Sequence, residues 1–196
     1  MCKSWNCAKL DHMNQATAHF PYPAKKWIVR ALYGVTWPLA WPARALYNHG
    51  RSCHGFAFGA RLLSIVPGRV GQYLRAAYYM QTLERCCHDL SVGFLSFFAH
   101  PACNVGERVY IGSLCTIGRS TLEDGALIAS RVSVNADAAP MQVSQPIRIG
   151  RASWLGESAI VQADVGAQAI VGAGCVVTQA VADCTTVVGN PAKRIA

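Results

Sequence analysis

Aliphatic–glycine pairs recur at short, regular intervals through the second half of this 196-residue chain. Val105-Gly106, Ile111-Gly112 and Ile117-Gly118 come first; Ile149-Gly150, Leu155-Gly156, Val165-Gly166 and Val171-Gly172 follow. Many of the steps are six residues. Two residues before each aliphatic a small side chain recurs, as at Cys115, Ala126, Ser153, Ala159, Ala169 and Cys175. Such a hexad is the pattern of a parallel β-helix. Three hexads close one triangular coil. The aliphatic residue fills the axis, the small residue fits a crowded corner, and Gly, Asn and Asp tolerate the positive φ of tight corners. Coils stack about 4.8 Å apart through backbone hydrogen bonds. Residues 92 to 188 then make about five coils of about eighteen residues each. An ordinary all-β domain with Gly turns does not predict fixed six-residue spacing.

The register is imperfect. One step is a residue short in "RSTLEDGALIA", where Leu122 and Ile128 take axial places, and another is two short in "IVQADVGAQAIVG". One flat side must be indented or skewed there. The longest interruption runs from 135 to 148, within "VSVNADAAPMQVSQPIRIG". A prism with a filled axis has no interior cavity, so function belongs on outer faces, in loops or between subunits.

The first part of the chain has another style. Residues 1–24 read as a loose leader, and "MCKSWNCAKLDHMNQ" lacks the apolar core of a secretory signal. Residues 25–91 read as helical, and the solenoid domain as 92–196. The best helix is "GQYLRAAYYMQTLERCCHDL", with Leu74, Ala77, Tyr78, Gln81 and Arg85 on neighbouring helical positions and a turn in "IVPG" before it. "KKWIVRALYGVTWPLAWPARALY", residues 25 to 47, carries three Trp and two Tyr. Its uncharged run between Arg30 and Arg44 is too short to span a bilayer, and Pro38 and Pro42 break it. Two readings stand. The segment is a pair of short helices packing aromatics on the domain, or it makes peripheral membrane contact, with Lys25, Lys26, Arg30 and Arg44 meeting anionic lipid.

Composition narrows the field. A chain 52% hydrophobic and 14% charged is not disordered. The net charge of +8 suits nucleic acid, anionic headgroups or a phosphorylated small molecule. No run of Lys or Arg alternates with aromatics, so nucleic acid is not expected. The nine Cys include no C-x-x-C pair, and read as reduced thiols of a cytoplasmic protein, without disulfide frame or zinc site.

"VGERVYIGSLCTIG", "WLGESAIV", "VGAGCVVTQAV" and the ending "VVGNPAKRIA" resemble the left-handed parallel β-helix, hexapeptide-repeat acyltransferases. "VPGRVGQYLRAAYYMQTLERC" is similar to a subgroup found with surface-polysaccharide and secondary-metabolite genes. The resemblance covers residues 62 to 196 and implies a mainly β fold with an N-terminal helical region. It also implies a homotrimer, acetyl-CoA or another acyl-CoA as donor, no metal, and a saccharide or small-molecule acceptor. By motif, the cofactor-binding candidates are Gly156 and Ala159 in "WLGESA", Ala173 and Gly174 in "VGAGC", Thr178, and Lys193 in "GNPAK", with Arg194 beside it. Small residues let a ligand approach the backbone, and paired cations hold phosphate.

In the family a His in the loop after the "SRVSI"-type coil removes the acceptor's proton. An alcohol needs such a base near neutral pH, and the His pKa suits it. This sequence departs there: "ASRVSVNADAAPMQVSQ" has no His. Asp137 is the only ionisable side chain between Arg131 and Arg148. It serves as a base if burial raises its pKa, or caps a turn. Among the six His, only His100 lies within the coils, so the three-His metal site of carbonic-anhydrase-type relatives is not expected. Two functions follow: an active acyltransferase with Asp137 or His100 as catalytic residue, and a non-catalytic trimeric scaffold that has lost the His.

Overall fold

The chain is described by a computed structural model over residues 25–48, 54–134 and 145–195. From Arg85 onward its strands are two or three residues long and stack into three parallel sheets, the faces of a prism. Face I pairs residues 85–86, 104–105, 120–122 and 147–149; single bridges at Val165 and Val181 continue it. Face II runs from Ser91–Val92 to Thr186–Val188, and face III from Phe97–Phe98 to Val176–Val177. The axial residues Ile111, Ile117, Ile128, Val134, Ile149, Leu155, Val161, Val171 and Val177 are fully buried. So are the small residues Cys115, Ala126, Ser153, Ala159, Ala169 and Cys175.

Coil length is not constant. Val92 pairs with Ile111, Ile111 with Ile128, Ile128 with Leu155, Leu155 with Val171 and Val171 with Val187, giving steps of 19, 17, 27, 16 and 16 residues. They scatter about the eighteen expected, and the steps of 17 and 16 carry the one-residue and two-residue shortfalls read in "RSTLEDGALIA" and "IVQADVGAQAIVG". The variation has one location. From face I to II and from II to III, successive axial residues stay six apart; from III to I the step is seven, five, fifteen, four and four. Two edges of the prism are regular and the third, edge III–I, absorbs every insertion and deletion.

Hydrogen-bond ladders hold the regular edges. Edge II–III places Leu95, Leu114, Arg131, Ser158 and Gly174 at positive φ; edge I–II does the same with Arg108, Gly125, Ala152, Gln168 and Cys184. From Leu114 onward each donates its N–H to a carbonyl of the coil before it, as Arg131 does to Ser113 and Ser158 to Ser130. A left-handed residue costs about 1–2 kcal/mol when it has a Cβ, and the ladder offsets that cost. The recurring glycines do another job. A Cβ on Gly112, Gly150 or Gly156 would lie 2.4–2.7 Å from backbone atoms of the next coil, and one on Gly106 or Gly166 would strike the Asp124 or Asp183 carboxylate. The expectation that corner φ selects these glycines is therefore corrected: close approach between coils selects them.

Three helices cover the first coil: α1 (Lys25–Asn48), α2 (His54–Ser64) and α3 (Gly68–Thr82). α1 runs through Pro38 and Pro42 as one helix, where a break was expected. Both prolines are exposed on one side, and tertiary packing of Val29, Thr36, Ala40 and Ala43 on the other holds the helix together. α3 stops at Thr82 although its pattern continues to Leu90. Burial of Leu90 and Val92 on the axis, and pairing of Arg85–Cys86 with Asn104–Val105, draw that stretch into the solenoid. Local propensity loses to tertiary pairing here.

Arg75 joins the two parts. It is buried and donates to the carbonyls of Leu63, Ser64 and Val66 at the end of α2 and of Val92 on face II. Burial pushes its pKa down, yet a guanidinium keeps its proton in proteins. Phe56, Tyr78, Tyr79 and Phe98 pack on one another as an aromatic plug, with ring centroids 4.8–6.3 Å apart. The plug closes the open end of the axis, as a terminal cap of a solenoid must.

Candidate functional site

The sequence-derived residues fall on two edges of the prism. On edge II–III, Ala173 and Gly174 are exposed on the last full coil, and Gly174 has φ +66 with open space where a Cβ would point. The "GNPAK" turn folds over the same edge. Gly189 accepts from Val176 N–H, Ala192 donates to Val176, and Lys193 pairs with Val188 in a short antiparallel strand on face II. Gly189 has φ +94, which explains a glycine at that reversal. Lys193 and Arg194 are exposed beside it. Ala173 and Gly174 thus lie bare at the corner beside face II, and Lys193 and Arg194 are exposed on the strand that ends that face, one strand beyond Thr186–Val188. That set fits a thioester cofactor with a slender polar arm and a phosphate terminus.

Gly156 and Ala159 share this edge but face inward. Gly156 donates to Val171 and accepts from Ala159, and Ala159 accepts from Ser133. Both are buried, and coil packing accounts for their small size. Thr178 is exposed on the far side of face III, away from that corner.

Edge III–I carries His100. His100 sits in its first turn, between Phe98 and Asn104. The long interruption leaves the same edge two coils later, about 10 Å along the axis at strand spacing. Asp137 lies outside the described residues. His100 Nδ1 accepts the Ala102 N–H at 3.0 Å, which places the ring proton of the neutral form on Nε2. A base role needs the opposite arrangement. Among the described residues no three His, Cys, Asp or Glu side chains converge as metal ligands.

Face I holds a shallow trough of about 550 Å³ that sequence reasoning missed. Its outward ladder is Arg85, Asn104, Thr121 and Arg148, against a mixed ladder on face II that includes Tyr110, Leu127, Trp154 and Ile170. The trough's charges are largely paired. Glu123 Oε1 accepts from Arg148 Nε at 2.6 Å and Oε2 from Arg151 N–H at 2.9 Å, while Arg151 lies 3.6 Å from Asp124. The Arg148 hydrogen bond is the main reason the Glu123 carboxyl titrates below its usual range. Only the alternation in "IRIG" pointed outward at Arg148; nothing in the sequence pointed to its partner.

No protein-family model matches the sequence, and no curated protein does. Among solved structures the fold is similar to a maltose O-acetyltransferase from Clostridium difficile 630, at 20% identity over 71% of this chain and 83% of that one, TM-score 0.63. It is similar to a hexapeptide-repeat acetyltransferase from Vibrio cholerae, at 19% identity over 73% and 90%, TM-score 0.62. A galactoside acetyltransferase solved with coenzyme A matches at 21% identity over 71% and 79%, TM-score 0.61. At such identities the likeness shows the fold, a hexapeptide-repeat solenoid.

Proposed function

We propose that this protein is an acyl-CoA-dependent acyltransferase, with acetyl-CoA as donor and a hydroxyl or amine of a sugar or small metabolite as acceptor. The observation that carries the reading is the exposed Ala173–Gly174 corner, with the exposed cations Lys193 and Arg194 on the strand that ends face II, in a solenoid whose fold neighbours are acetyltransferases. Bound there, the donor supplies an acyl group activated as a thioester. Gly174 and Ala173 give its arm access to backbone polar groups, and Lys193 with Arg194 neutralises its phosphates.

The two edges must meet for transfer to occur. In one chain, face III separates the donor edge from edge III–I, whereas a base must reach the acceptor proton at hydrogen-bond distance. A homotrimer resolves this by setting edge II–III of one copy against edge III–I of the next. The apolar ladder Tyr110, Leu127, Trp154 and Ile170 on face II suits such a contact. As the acceptor's oxygen or nitrogen attacks the thioester carbonyl, its proton passes to Asp137, the sole ionisable side chain between Arg131 and Arg148. The C–S bond breaks and coenzyme A leaves as the thiol, taking that proton, with His100 as the second catalytic candidate. The protein works in the cytoplasm, in keeping with nine cysteines that form no C-x-x-C pair in the sequence.

Mass-spectrometric detection of acyl transfer from acetyl-CoA across sugar and amine acceptors tests the reading. Turnover lost in Asp137→Asn, with coenzyme A affinity retained, supports it. Unchanged turnover in both Asp137→Asn and His100→Ala removes both proposed catalytic residues. The second reading, a trimeric scaffold of the same fold, is favoured by the Nδ1 contact that occupies the His100 lone pair. Coenzyme A binding without turnover on any acceptor selects it.

A further inference from the structure

The helical cap turns its apolar residues the wrong way for a water-facing surface. On α1, Gly34, Trp37, Pro38 and Trp41 follow the i, i+3, i+4, i+7 spacing of one helix face, and all are exposed, Trp37 at 58% and Trp41 at 62%. On α2 the same spacing recurs in Phe58, Leu62 and Ile65, at 65%, 45% and 61%. The opposite faces are buried, so both helices are apolar on two sides. Val70 opens α3 equally bare, with exposed Arg69 next to it.

Charge is segregated with this surface. Residues 25 to 83 contain eight Lys and Arg and no Asp or Glu. From Glu84 onward nine acids balance eight bases, so the whole basic excess belongs to the region before the solenoid. Arg44, Arg61 and Arg69 are exposed on these helices. Pro38 and Pro42 bring no N–H, which leaves the Gly34 and Pro38 carbonyls without a helical donor. Such groups suit a wet headgroup zone, not hydrocarbon. No helix among the described residues is long and apolar enough to cross a membrane.

We infer that α1 and α2 dock this protein onto an anionic lipid surface, with Trp37, Trp41, Phe58, Leu62 and Ile65 in the interfacial zone and Arg44, Arg61 and Arg69 on headgroup phosphates. Trp side chains favour that zone, and each cation adds attraction to anionic lipid. The surface is wider than residues 25–47, because α2 and the start of α3 belong to it. A second copy is the poorer occupant: its helices would bring cations against cations with no acid to pair them. The inference does not depend on acyl transfer.

Vesicle flotation of the full chain tests it, with phosphatidylcholine alone and with equimolar phosphatidylglycerol. The expected result is flotation with the anionic vesicles only, weakened by salt. Trp37→Ser/Trp41→Ser and Phe58→Ser/Leu62→Ser each lower that binding about tenfold or more, while circular dichroism and the thermal midpoint stay as in the parent. Quenching of Trp fluorescence by brominated lipid, lost in Trp37→Ser/Trp41→Ser, reads the same contact in the unaltered protein. Absence of flotation with anionic vesicles overturns the inference. So does equal flotation with neutral vesicles, or a change confined to the association state in sedimentation.

Discussion

In "WLGESA", moving the glycine two places has opposite effects at its two ends. A Cβ on Gly156 would lie 2.6 Å from Ala173 N, 2.7 Å from Gly172 C and 2.8 Å from Val171 O. Ordinary contact begins near 3.4 Å, so the coils must part by about 0.8 Å. That strains the Gly156 to Val171 hydrogen bond, now 2.8 Å, beyond good length, and loosens its neighbours on the edge. Overpacking costs about 1–3 kcal/mol and each weakened hydrogen bond about 1, so Gly156→Ala destabilises by about 2–4 kcal/mol. Ser158 is exposed at φ +59 and donates its N–H to Ser130. Ser158→Gly keeps that bond and relieves a left-handed Cβ worth about 1–2 kcal/mol, less about 0.5–1 for the freer unfolded chain. It should stabilise by about 0.5–1 kcal/mol. Thermal unfolding at fixed protein concentration reads both: a fall of about 6–12 °C for the first and a rise of about 2 °C for the second. An unchanged midpoint in Gly156→Ala, with coenzyme A affinity lost, would refute the packing argument and return Gly156 to the donor site.

Three further outcomes follow from named contacts. Arg75→Met removes a donor from four carbonyls, of which Leu63 and Ser64 keep a backbone N–H, and should cost about 2–5 kcal/mol, with faster amide exchange at the end of α2 and around Val92. Glu123 has a folded pKa below its usual 4.5, held there first by Arg148; its contribution is therefore present above that value and fades as pH falls through the lower folded one. Melting followed from neutral to acid pH should drop less in Glu123→Gln than in the parent. Cys184 is exposed, whereas burial pushes the Cys103 thiol up to about 11 and also raises Cys115. Alkylation mapped by mass spectrometry should mark Cys184 early and Cys103 and Cys115 only on unfolding.

The hexads made the solenoid legible because axial burial is a one-dimensional property. One aliphatic residue every six places fills a triangular axis wherever the coils stand, so Ile111, Leu155 and Val171 announced themselves. The small residues two places earlier did so for the same reason. The helix ending at Thr82 was not legible, since Leu90 and Val92 satisfy both a helical pattern and an axial place, and only the strands they meet decide between them. In the candidate site, Ala173, Gly174 and Lys193 were readable as motif and are all exposed, Lys193 on the strand that pairs with Val188. Gly156 and Ala159 were readable as motif too, but their surroundings are the interior of the next coil.

The sequence by itself determined the repeat, the filled axis, the existence of a break before Ile147 and the lack of a His inside it. Those are properties of residue types and spacing, which need no partner to be defined. Only the tertiary structure decided that every irregular step falls on edge III–I, that Gly112, Gly150 and Gly156 serve close contact between coils while Leu114, Arg131 and Ser158 take left-handed corners, and that Gly174 and His100 stand on different edges. It also decided that Trp37, Trp41 and Phe58 face outward. These depend on which coil or helix lies beside a residue, and stacking brings together atoms sixteen or more positions apart in the chain.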